Sequence, residues 1–300
     1  MTMPFADRLD AAVRERENPC LVGLDPHLEL LPEEFAVARD PEAPRAERAR
    51  AVERFLLEVI EVAAERVPAV KPQSAFFERL GADGALAWER VCSEARRAGL
   101  LVIGDVKRSD IASTAEAYGR AFLEDAGEAR CDAITVNPYL GADSIEPLLE
   151  VCRRSGAGLF VLVRTSNPGS AMFQHHGEPP LVHLVAREVA RWGEALRGEC
   201  GLSSVGAVVG ATHAGEIGKL RALMPFTPFL VPGYGAQGAG AAETLPSFLD
   251  GGRGALVNSS RGLLFAWRRP EHEGKPWKDA TRDALDAMVG EFRALRSETR

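Results

Sequence analysis

Three charged residues at fixed spacing are the part of the sequence best suited to catalysis: Asp105, Lys107 and Asp110, in the segment Asp-Val-Lys-Arg-Ser-Asp-Ile. The residues before them are apolar, so Asp105 and Lys107 are predicted to lie at the end of a buried strand, where alternate side chains share a face. Carboxylates beside an ammonium group stabilise its protonated form. A lysine held in this way can donate a proton, whereas a Schiff-base lysine has to be neutral. The pattern therefore predicts a site with Lys107 as proton donor.

Asp110 has an ordinary structural alternative. It falls in the turn before a helix predicted around residues 112–124, and aspartate is a preferred helix N-cap. A salt-bridged rim around Lys107 would show the same spacing. However, Asp25 and Lys71 also end apolar runs. Because four charges gathered at one pocket are costly for structure alone, their convergence favours catalysis.

A glycine-rich segment and an arginine form a second candidate site, for a phosphate group. Residues 232–240 are Pro-Gly-Tyr-Gly-Ala-Gln-Gly-Ala-Gly, which include Gly235 and Gln237, and Arg261 follows the next apolar run. Glycines let backbone N–H groups approach phosphate oxygens, and arginine supplies a forked, charged clamp. A flexible loop beside a surface arginine is the alternative. The occurrence of both features at successive strand ends favours phosphate binding.

Eight short apolar runs alternate with amphipathic segments and would position these residues. The runs cover residues 20–25, 66–71, 100–107, 131–137, 158–165, 205–212, 228–235 and 254–260. Helical periodicity is clear over Ala51–Ala64, Leu86–Ala98 and Val182–Leu196. Apolar strands between amphipathic helices indicate a parallel sheet covered on both faces. Eight such units predict an α/β fold, a (β/α)8 TIM barrel; a doubly wound sheet is the structural alternative.

The flanking segments complete the predicted organisation. We expect a single barrel domain over residues 1–300, with an N-terminal helix at about 3–16 and a C-terminal helix at about 279–295. Residues 31–50 are predicted to form a long first connection, and residues 173–180 an excursion after the fifth strand. In a barrel, chemistry occurs at the carboxyl ends of the strands. The polar residues predicted there are Asp25, Lys71, Asp105, Lys107, Asn137, Thr165, Ser166, Thr212, Asn258, Ser259, Ser260 and Arg261.

Composition bounds the partners and the compartment. The formal net charge of −7 argues against a protein that coats nucleic acid, but it permits a local phosphate site. No apolar stretch has the length of a signal peptide core or a membrane span, so we expect no membrane partner. The five cysteines lack Cys-x-x-Cys spacing, which is typical of free thiols in a reducing cytoplasm.

Six motifs occur in an order that resembles the orotidine 5'-phosphate decarboxylases: LVGLD, AVKPQ, GDVKRSDI, RTSNPGS, PGYGAQG and SSRG. They resemble in particular the longer bacterial branch (type 2) that includes the mycobacterial enzymes, over about Asn18 to Trp267. The resemblance implies decarboxylation of orotidine 5'-monophosphate to uridine 5'-monophosphate in pyrimidine biosynthesis. It also implies that neither a metal nor an organic cofactor takes part, and that the enzyme is a homodimer with shared active sites.

Carried over residue by residue, the resemblance implies a role for each matching side chain. Lys107 would protonate C6, Asp105 would face the substrate carboxylate, and Lys71 would contact ribose while bridging the acids. Asp110 and Thr114 would reach into the partner subunit's site. The substrate-binding residues would be Asp25 for a ribose hydroxyl, Ser166 for the pyrimidine edge, Gln237 for base and phosphate, Gly235 in the phosphate loop and Arg261 for the phosphate.

The sequence departs from the family pattern at three places. The common Asp-Ile-Pro-Asn-Thr run is Asp110-Ile-Ala-Ser-Thr114 here, so a different turn is expected before the helix. Ala239 stands where a second glycine is usual. The loop after the fifth strand is Thr-Ser-Asn-Pro in place of Ser-Ser-Lys, which bears on the assignment of Ser166.

Two other hypotheses remain open at this point. Sister barrel enzymes that act on sugar phosphates share the Asp-x-Lys-x-x-Asp element, but they use magnesium and have an acid where Lys71 stands. A non-catalytic nucleotide-binding barrel would bind ligand without turnover. Lys71 favours the nucleotide enzyme over the first, and Lys107 with its flanking acids favours it over the second.

Overall fold

The described residues form a closed barrel of eight parallel strands. The computed structural model describes residues 2–211, 214–235 and 240–298. Leu21 pairs with Ala69 on one side and with Asn258 on the other, so the first strand joins both the second and the last. The strands are β1 Cys20–Leu24, β2 Ala69–Pro72, β3 Leu101–Arg108, β4 Ala133–Val136, β5 Gly158–Arg164, β6 Val205–Val209, β7 Phe229–Pro232 and β8 Ala255–Ser259.

Helices connect successive strands and cover the outside of the barrel. They are α1 Phe5–Arg16, α2 Arg45–Ala63, α3 Ser74–Glu78, α4 Gly81–Arg97, α5 Ala112–Leu123, α6 Ala142–Ser155, α7 Ala171–Gln174, α8 Leu181–Glu194, α9 Ala214–Leu223, α10 Ala241–Thr244, α11 Arg261–Leu264 and α12 Trp277–Glu298. Shorter 3-10 turns include Leu28–Leu30, Glu33–Arg39 and Pro168–Ser170. The predicted (β/α)8 barrel is confirmed, and the doubly wound alternative is wrong because the sheet closes.

The barrel interior is filled by one apolar layer to which every strand contributes one side chain. These residues are Leu21, Ala69, Ile103, Ala133, Phe160, Val208, Leu230 and Leu256. Their neighbours on the strands, such as Val22, Val70 and Val102, belong to the second core between strands and helices. This alternation follows from the period of two along a strand. Both faces of the sheet are therefore buried, which explains why the strands have near-continuous apolar sequences.

Helix α1 packs against the amino-terminal end of the barrel. Phe5, Leu9 and Val13 are buried in the inner apolar layer, and the ring of Phe5 lies 5.9 Å from that of Phe160 in an edge-to-face arrangement. On the same side, the buried carboxylate of Asp132 accepts hydrogen bonds from Arg8 and from Arg96 on α4. The helix is therefore fixed by apolar packing and by charge.

The first connection is shorter than predicted. Residues 31–50 were expected to form the first connection, but α2 begins within them, at Arg45, directly after Pro44. The first turn of α2 is polar, so the apolar periodicity that revealed the helix starts only at its second turn.

The C-terminal helix α12 spans Trp277–Glu298, slightly longer than the expected 279–295. In the described part of the chain, no helix has the length and apolarity that a membrane crossing requires.

Candidate active site

A cavity of about 470 Å³ opens at the carboxyl ends of the strands, a volume typical of small-molecule sites. The floor of the cavity is the layer of side chains that follows the inner apolar layer toward the carboxyl ends of the strands. Each floor residue comes two positions after the residue that its strand contributes to the inner apolar layer. The floor residues are Lys71, Asp105, Thr135, Leu162, Pro232 and Asn258. Later positions supply the walls. These include Asp25, Lys107, Thr165, Ser166, Asn167, Gly233, Tyr234, Ser260 and Arg261.

Four charged side chains that line the cavity form a continuous chain from its wall to its floor. The Nζ atom of Lys71 donates to Oδ2 of Asp105 at 2.7 Å and lies 3.9 Å from Oδ1 of Asp25. The ammonium of Lys107 donates to the other oxygen of Asp105. Asp105 therefore accepts one lysine on each carboxylate oxygen. This arrangement brings together the four charges that the sequence predicts at one pocket.

Neighbouring charges together shift the pKa values of Asp105 and Lys71 more than burial does. Burial alone would raise the pKa of Asp105, but Lys71 and Lys107 hold that pKa well below its usual range. Burial alone would lower the pKa of Lys71, yet the charges of Asp105 and Asp25 raise it. Both groups are therefore ionised at neutral pH. The pocket contains a buried ion pair, and Lys107 forms its more solvent-accessible end, with 47% of its side chain exposed.

The position of Lys107 requires more than the simple strand alternation that the sequence predicts. The register between β3 and β4 shifts between Gly104 and Arg108, and Lys107 has a positive φ of 44°. Such a φ is unusual for a residue with a side chain. The N–H of Lys107 donates to the Thr135 hydroxyl at 3.0 Å. An irregularity in the strand, and not regular pleating alone, therefore places the ammonium of Lys107 on Asp105.

A buried arginine organises the loop after β5. Arg164 is only 2% exposed, and its guanidinium donates to Glu216 on α9 at 2.6 Å and to Gln174 at 3.0 Å. Gln174 in turn accepts from the N–H of Thr165 at 3.1 Å and donates to its hydroxyl at 2.8 Å. The segment from Thr165 to Gln174 thus folds back on Arg164. This fixes the start of the loop that carries Ser166 at the pocket wall.

The end of β6 also constrains Ser166. A Cβ atom on Gly210 would lie 3.0 Å from Cβ of Ser166 and 3.1 Å from its backbone nitrogen. Only glycine leaves room for this approach without a shift of the loop. The residue expected at the pyrimidine edge is therefore held in the pocket from two directions, by Arg164 through Thr165 and by Gly210.

The expected phosphate end of the pocket contains Arg261 and Ser260. Arg261 is exposed, and its guanidinium makes no hydrogen bond or ion pair within the described ranges; its backbone carbonyl accepts the N–H of Phe265 at 3.2 Å. Gly23 on β1 makes room for Ser260, since a Cβ there would lie 1.9 Å from the Ser260 hydroxyl oxygen. The guanidinium therefore reaches the pocket without a competing partner in the described protein.

The described ends of the glycine-rich segment are tied to α12. Tyr234 donates its hydroxyl proton to Glu291, and the N–H of Ala241 donates to the other oxygen of Glu291 at 3.2 Å. Gly235 does not line the main cavity; it borders a neighbouring one between this segment and α12. Gln237 lies outside the described residues, as does Thr212 at the expected end of the sixth run.

Asp110 and Thr114 do not line the cavity of their own chain. The carboxylate of Asp110 accepts from the N–H of Ile111, and Thr114 is exposed on the first turn of α5. Asp110 is not the helix N-cap, because Ile111 holds that position. Between them, Ala112 has a φ of 48°, which the proline of the common family run could not adopt. The turn before α5 therefore does differ, as the sequence predicts.

One polar floor residue, Thr135, escaped the sequence-based selection, whereas Asn258 was expected at the end of the eighth run. The fourth run was expected to contribute Asn137, but the side chain of Asn137 instead accepts from the N–H of Tyr139 at 3.0 Å. Counting two positions from Ala133 would have found Thr135. Oδ1 of Asn258 and Oδ1 of Asp25 are buried and have no hydrogen-bond partner among the described residues. Buried polar atoms of this kind are normally satisfied, so both are acceptors available to a ligand.

In residues 2–211, 214–235 and 240–298, no group of three or more histidine, cysteine, aspartate or glutamate side chains has the arrangement of a metal site.

Comparison with known proteins gives a consistent result. The family model described as "Orotidine 5'-phosphate decarboxylase / HUMPS family" matches residues 20–275. An orotidine 5'-phosphate decarboxylase from Rhodopirellula baltica is 44% identical over 298 residues, which cover 95% of this chain and 98% of that protein. The family match thus includes every strand of the barrel.

Solved structures agree in fold over nearly the whole chain. A crystal structure from Streptomyces avermitilis, described as a candidate orotidine 5'-phosphate decarboxylase, is 39% identical with a TM-score of 0.80; the match covers 99% of this chain and 97% of that one. The OMP decarboxylase of Leishmania donovani is 33% identical with a TM-score of 0.76, and the match covers 98% of this chain and 100% of that one.

Proposed function

Because this chain belongs to the orotidine 5'-phosphate decarboxylase / HUMPS family, we propose that it decarboxylates orotidine 5'-monophosphate to uridine 5'-monophosphate, the nucleotide product of pyrimidine biosynthesis. One observation carries the proposal. Asp25, Lys71, Asp105 and Lys107 form one charged chain in the cavity of a closed barrel, with an ammonium group at its exposed end. A site of this kind can stabilise a developing negative charge beside the ammonium and then protonate it.

The proposed reaction centres on Lys107. When the bond between C6 and the carboxylate breaks, carbon dioxide leaves and the electron pair stays on C6. The positive charge of Lys107 stabilises that pair, and its Nζ–H bond then supplies the proton that completes uridine 5'-monophosphate. Lys107 regains a proton from water afterwards. Neither a metal nor an organic cofactor has a part in the proposed step.

Asp105 and Lys71 prepare the site for this step. Asp105 stays ionised because two lysines share it, so it presents negative charge next to the substrate carboxylate. Charge repulsion there would favour departure of carbon dioxide. Lys71 balances the buried charge of Asp105 and, with the Asp25 oxygen that accepts no hydrogen bond, would contact the ribose hydroxyls.

The remaining pocket residues would bind the parts of the nucleotide that do not react. We assign the phosphate to Arg261 and to the glycine-rich segment with Gly235 and Gln237, and the pyrimidine edge to Ser166. Binding energy from a remote phosphate can lower the barrier at C6 when it organises the site around the transition state. This accounts for a phosphate site at one end of the pocket and the lysine at the other.

The proposed functional unit is a homodimer. Asp110 and Thr114 lie outside the cavity of their own chain, and exposed apolar side chains follow the neighbouring strands β3 and β4. The exposed fractions are 50% for Ile111, 77% for Tyr139 and 49% for Leu140. Adjacent exposed apolar side chains mark interaction surfaces. A second copy on this face would cover them and place its Asp110 and Thr114 at the pocket.

The proposed compartment is the cytoplasm, because all five cysteines are free thiols, four of them buried.

The magnesium-dependent sugar-phosphate enzymes of the same superfamily are the second candidate. Lys71 argues for the nucleotide enzyme, because its ammonium fills the space between Asp25 and Asp105 where a cation would otherwise balance the two acids. Incubation of the purified protein with orotidine 5'-monophosphate, followed by loss of the orotate absorbance, tests the proposal. Full activity in EDTA is expected. Turnover that requires added magnesium would support the second candidate, and binding without turnover would indicate a nucleotide-binding barrel.

A further inference from the structure

Thr135 contacts both members of the proposed catalytic pair. Its hydroxyl oxygen accepts the N–H of Lys107 at 3.0 Å, and its hydroxyl proton is donated to Oδ1 of Asp105 at 2.9 Å. The same Oδ1 atom accepts the ammonium of Lys107. Thr135 is 1% exposed and forms part of the cavity floor. One hydroxyl therefore joins the backbone of the lysine to the carboxylate that its side chain contacts.

The backbone that Thr135 holds is the unusual one. Lys107 has a φ of 44°, and the pairing between β3 and β4 shifts register around it. A side-chain-bearing residue keeps such a conformation only where its surroundings fix it. The hydrogen bond from Lys107 to Thr135 spans the shifted register and supplies a partner that regular strand pairing does not.

We propose that the Thr135 hydroxyl is a positioning group for the decarboxylation, because it fixes the left-handed backbone of Lys107 and the orientation of Asp105. The inference rests on the proposed function. Thr135 is not assigned a contact with substrate: it acts through Lys107 and Asp105. Without the hydroxyl, Lys107 can relax toward ordinary strand geometry, which moves the ammonium away from the position that C6 occupies.

The test compares variants of the full-length protein that differ in one group. Thr135→Val removes the hydroxyl at nearly constant shape, and Thr135→Ser keeps the hydroxyl and removes the methyl group. Thr227→Val is the matched control, since Thr227 is also fully buried but its hydroxyl has no hydrogen-bond partner among the described residues. Steady-state kcat and KM for orotidine 5'-monophosphate are measured for each.

A positioning role predicts a specific pattern. We expect Thr135→Val to lower kcat by about 10- to 100-fold, because small misplacement of a reacting group is costly, while KM changes by less than about threefold. Thr135→Ser should restore kcat to within about threefold of wild type, and Thr227→Val should change neither constant. If Thr135→Val does not fold, Thr135→Ala against Thr135→Ser makes the same comparison of a single hydroxyl.

Two outcomes would overturn this inference and leave the proposed function standing. The first is that the wild-type protein turns over substrate and Thr135→Val has an undiminished kcat. The second is that Thr135→Ser is as impaired as the variants without a hydroxyl. If the wild-type protein shows no turnover of orotidine 5'-monophosphate, the proposed function is overturned, and this inference with it.

Discussion

The ammonium of Lys71 lies 2.7 Å from Oδ2 of Asp105, and both side chains are almost fully buried. Lys107 contacts the same carboxylate, but about half of its side chain is exposed. The two lysines therefore share one acid and differ in their solvation. Removing one partner of a buried pair leaves an uncompensated charge, whereas a partly exposed ion pair contributes little to stability.

We expect Lys71→Met to lower the free energy of unfolding by about 3 kcal/mol, because Asp105 loses its buried partner. Lys107→Met should lower it by less than about 1 kcal/mol. Both variants should lose turnover. Urea denaturation at pH 7 measures the two differences, with the wild-type protein as reference. A larger loss in Lys107→Met than in Lys71→Met would contradict the assignment of Lys71 as the buried partner.

Acid should weaken the contribution of Asp105 to stability. Its pKa in the folded protein lies below the unfolded value of about 3.9, so the folded state binds the proton less readily. The stabilisation is therefore fully present above the unfolded pKa and is lost as the pH falls toward the folded pKa. We expect the difference in unfolding free energy between wild type and Asp105→Asn to be constant from about pH 7 to 5 and to shrink below about pH 4. An equal difference at pH 7 and pH 3.5 would show that the carboxylate is not held ionised.

The proposed dimer with shared active sites predicts that activity recovers when two inactive variants are mixed. Lys107→Ala and Asp110→Ala should each lack turnover. In a mixed dimer, one site combines an intact Lys107 with an intact Asp110 from the other subunit. After exchange of subunits at equal amounts, we expect about a quarter of the wild-type activity.

The control for this experiment is a mixture of Lys107→Ala with Asp105→Asn. Both changes affect residues of the same chain's own cavity, so every site stays defective and no activity should return. Failure of the Lys107→Ala and Asp110→Ala mixture to recover, with subunit exchange verified, would place Asp110 outside the partner's site.

Arg261 should contribute to affinity for the phosphate and not for the nucleoside. A charge-assisted contact to an anion is worth about 1.5–3 kcal/mol, so Arg261→Ala is expected to weaken binding of uridine 5'-monophosphate by about 10- to 100-fold. Binding of uridine, which lacks the phosphate, should not change. Isothermal titration calorimetry measures both ligands. Arg268→Ala is the control, because Arg268 is a nearby exposed arginine outside the cavity, beside Trp267. Equal losses for both ligands would place the phosphate elsewhere.

Two buried arginines allow the loop after β5 to be tested. Arg164 fixes Thr165 and hence the pocket wall, whereas Arg221 donates to backbone carbonyls of Thr227 and Gly254, at the opposite end of the barrel. Both Arg164→Met and Arg221→Met should lower the thermal midpoint. Only Arg164→Met should raise KM for orotidine 5'-monophosphate, by about tenfold, because the loop that carries Ser166 loses its anchor. A similar rise in KM for Arg221→Met would mean that general destabilisation explains the effect.

Most of the fold could be predicted from the sequence because the barrel repeats one simple pattern. The eight apolar runs correspond to the eight strands, since strands buried on both faces have near-continuous apolar sequences. The start of α2 was missed because its first turn, from Arg45, is polar and carries no apolar periodicity. Element boundaries that depend on solvent-facing residues leave little signal in the sequence.

The site was predictable where it depends on strand order and less so where it depends on backbone irregularity. Asp25, Lys71 and Asp105 follow from the rule that strand ends converge. Thr135 could also have been found by counting two positions from the apolar Ala133. The left-handed backbone of Lys107 could not, because no glycine or turn signal marks it. Its conformation results from a tertiary contact with Thr135.

Helix α1 covers the amino-terminal end of the barrel, opposite the cavity at the carboxyl ends of the strands. Phe5, Leu9 and Val13 are buried against the inner apolar layer at the amino-terminal end, so apolar side chains pack that end in the described part of the chain. Carbon dioxide formed beside Asp105 is therefore expected to leave through the cavity by which the nucleotide enters. Any movement that covers the open end of this cavity during the reaction would consequently delay the release of carbon dioxide and of the nucleotide together. Uncovering that end would release both.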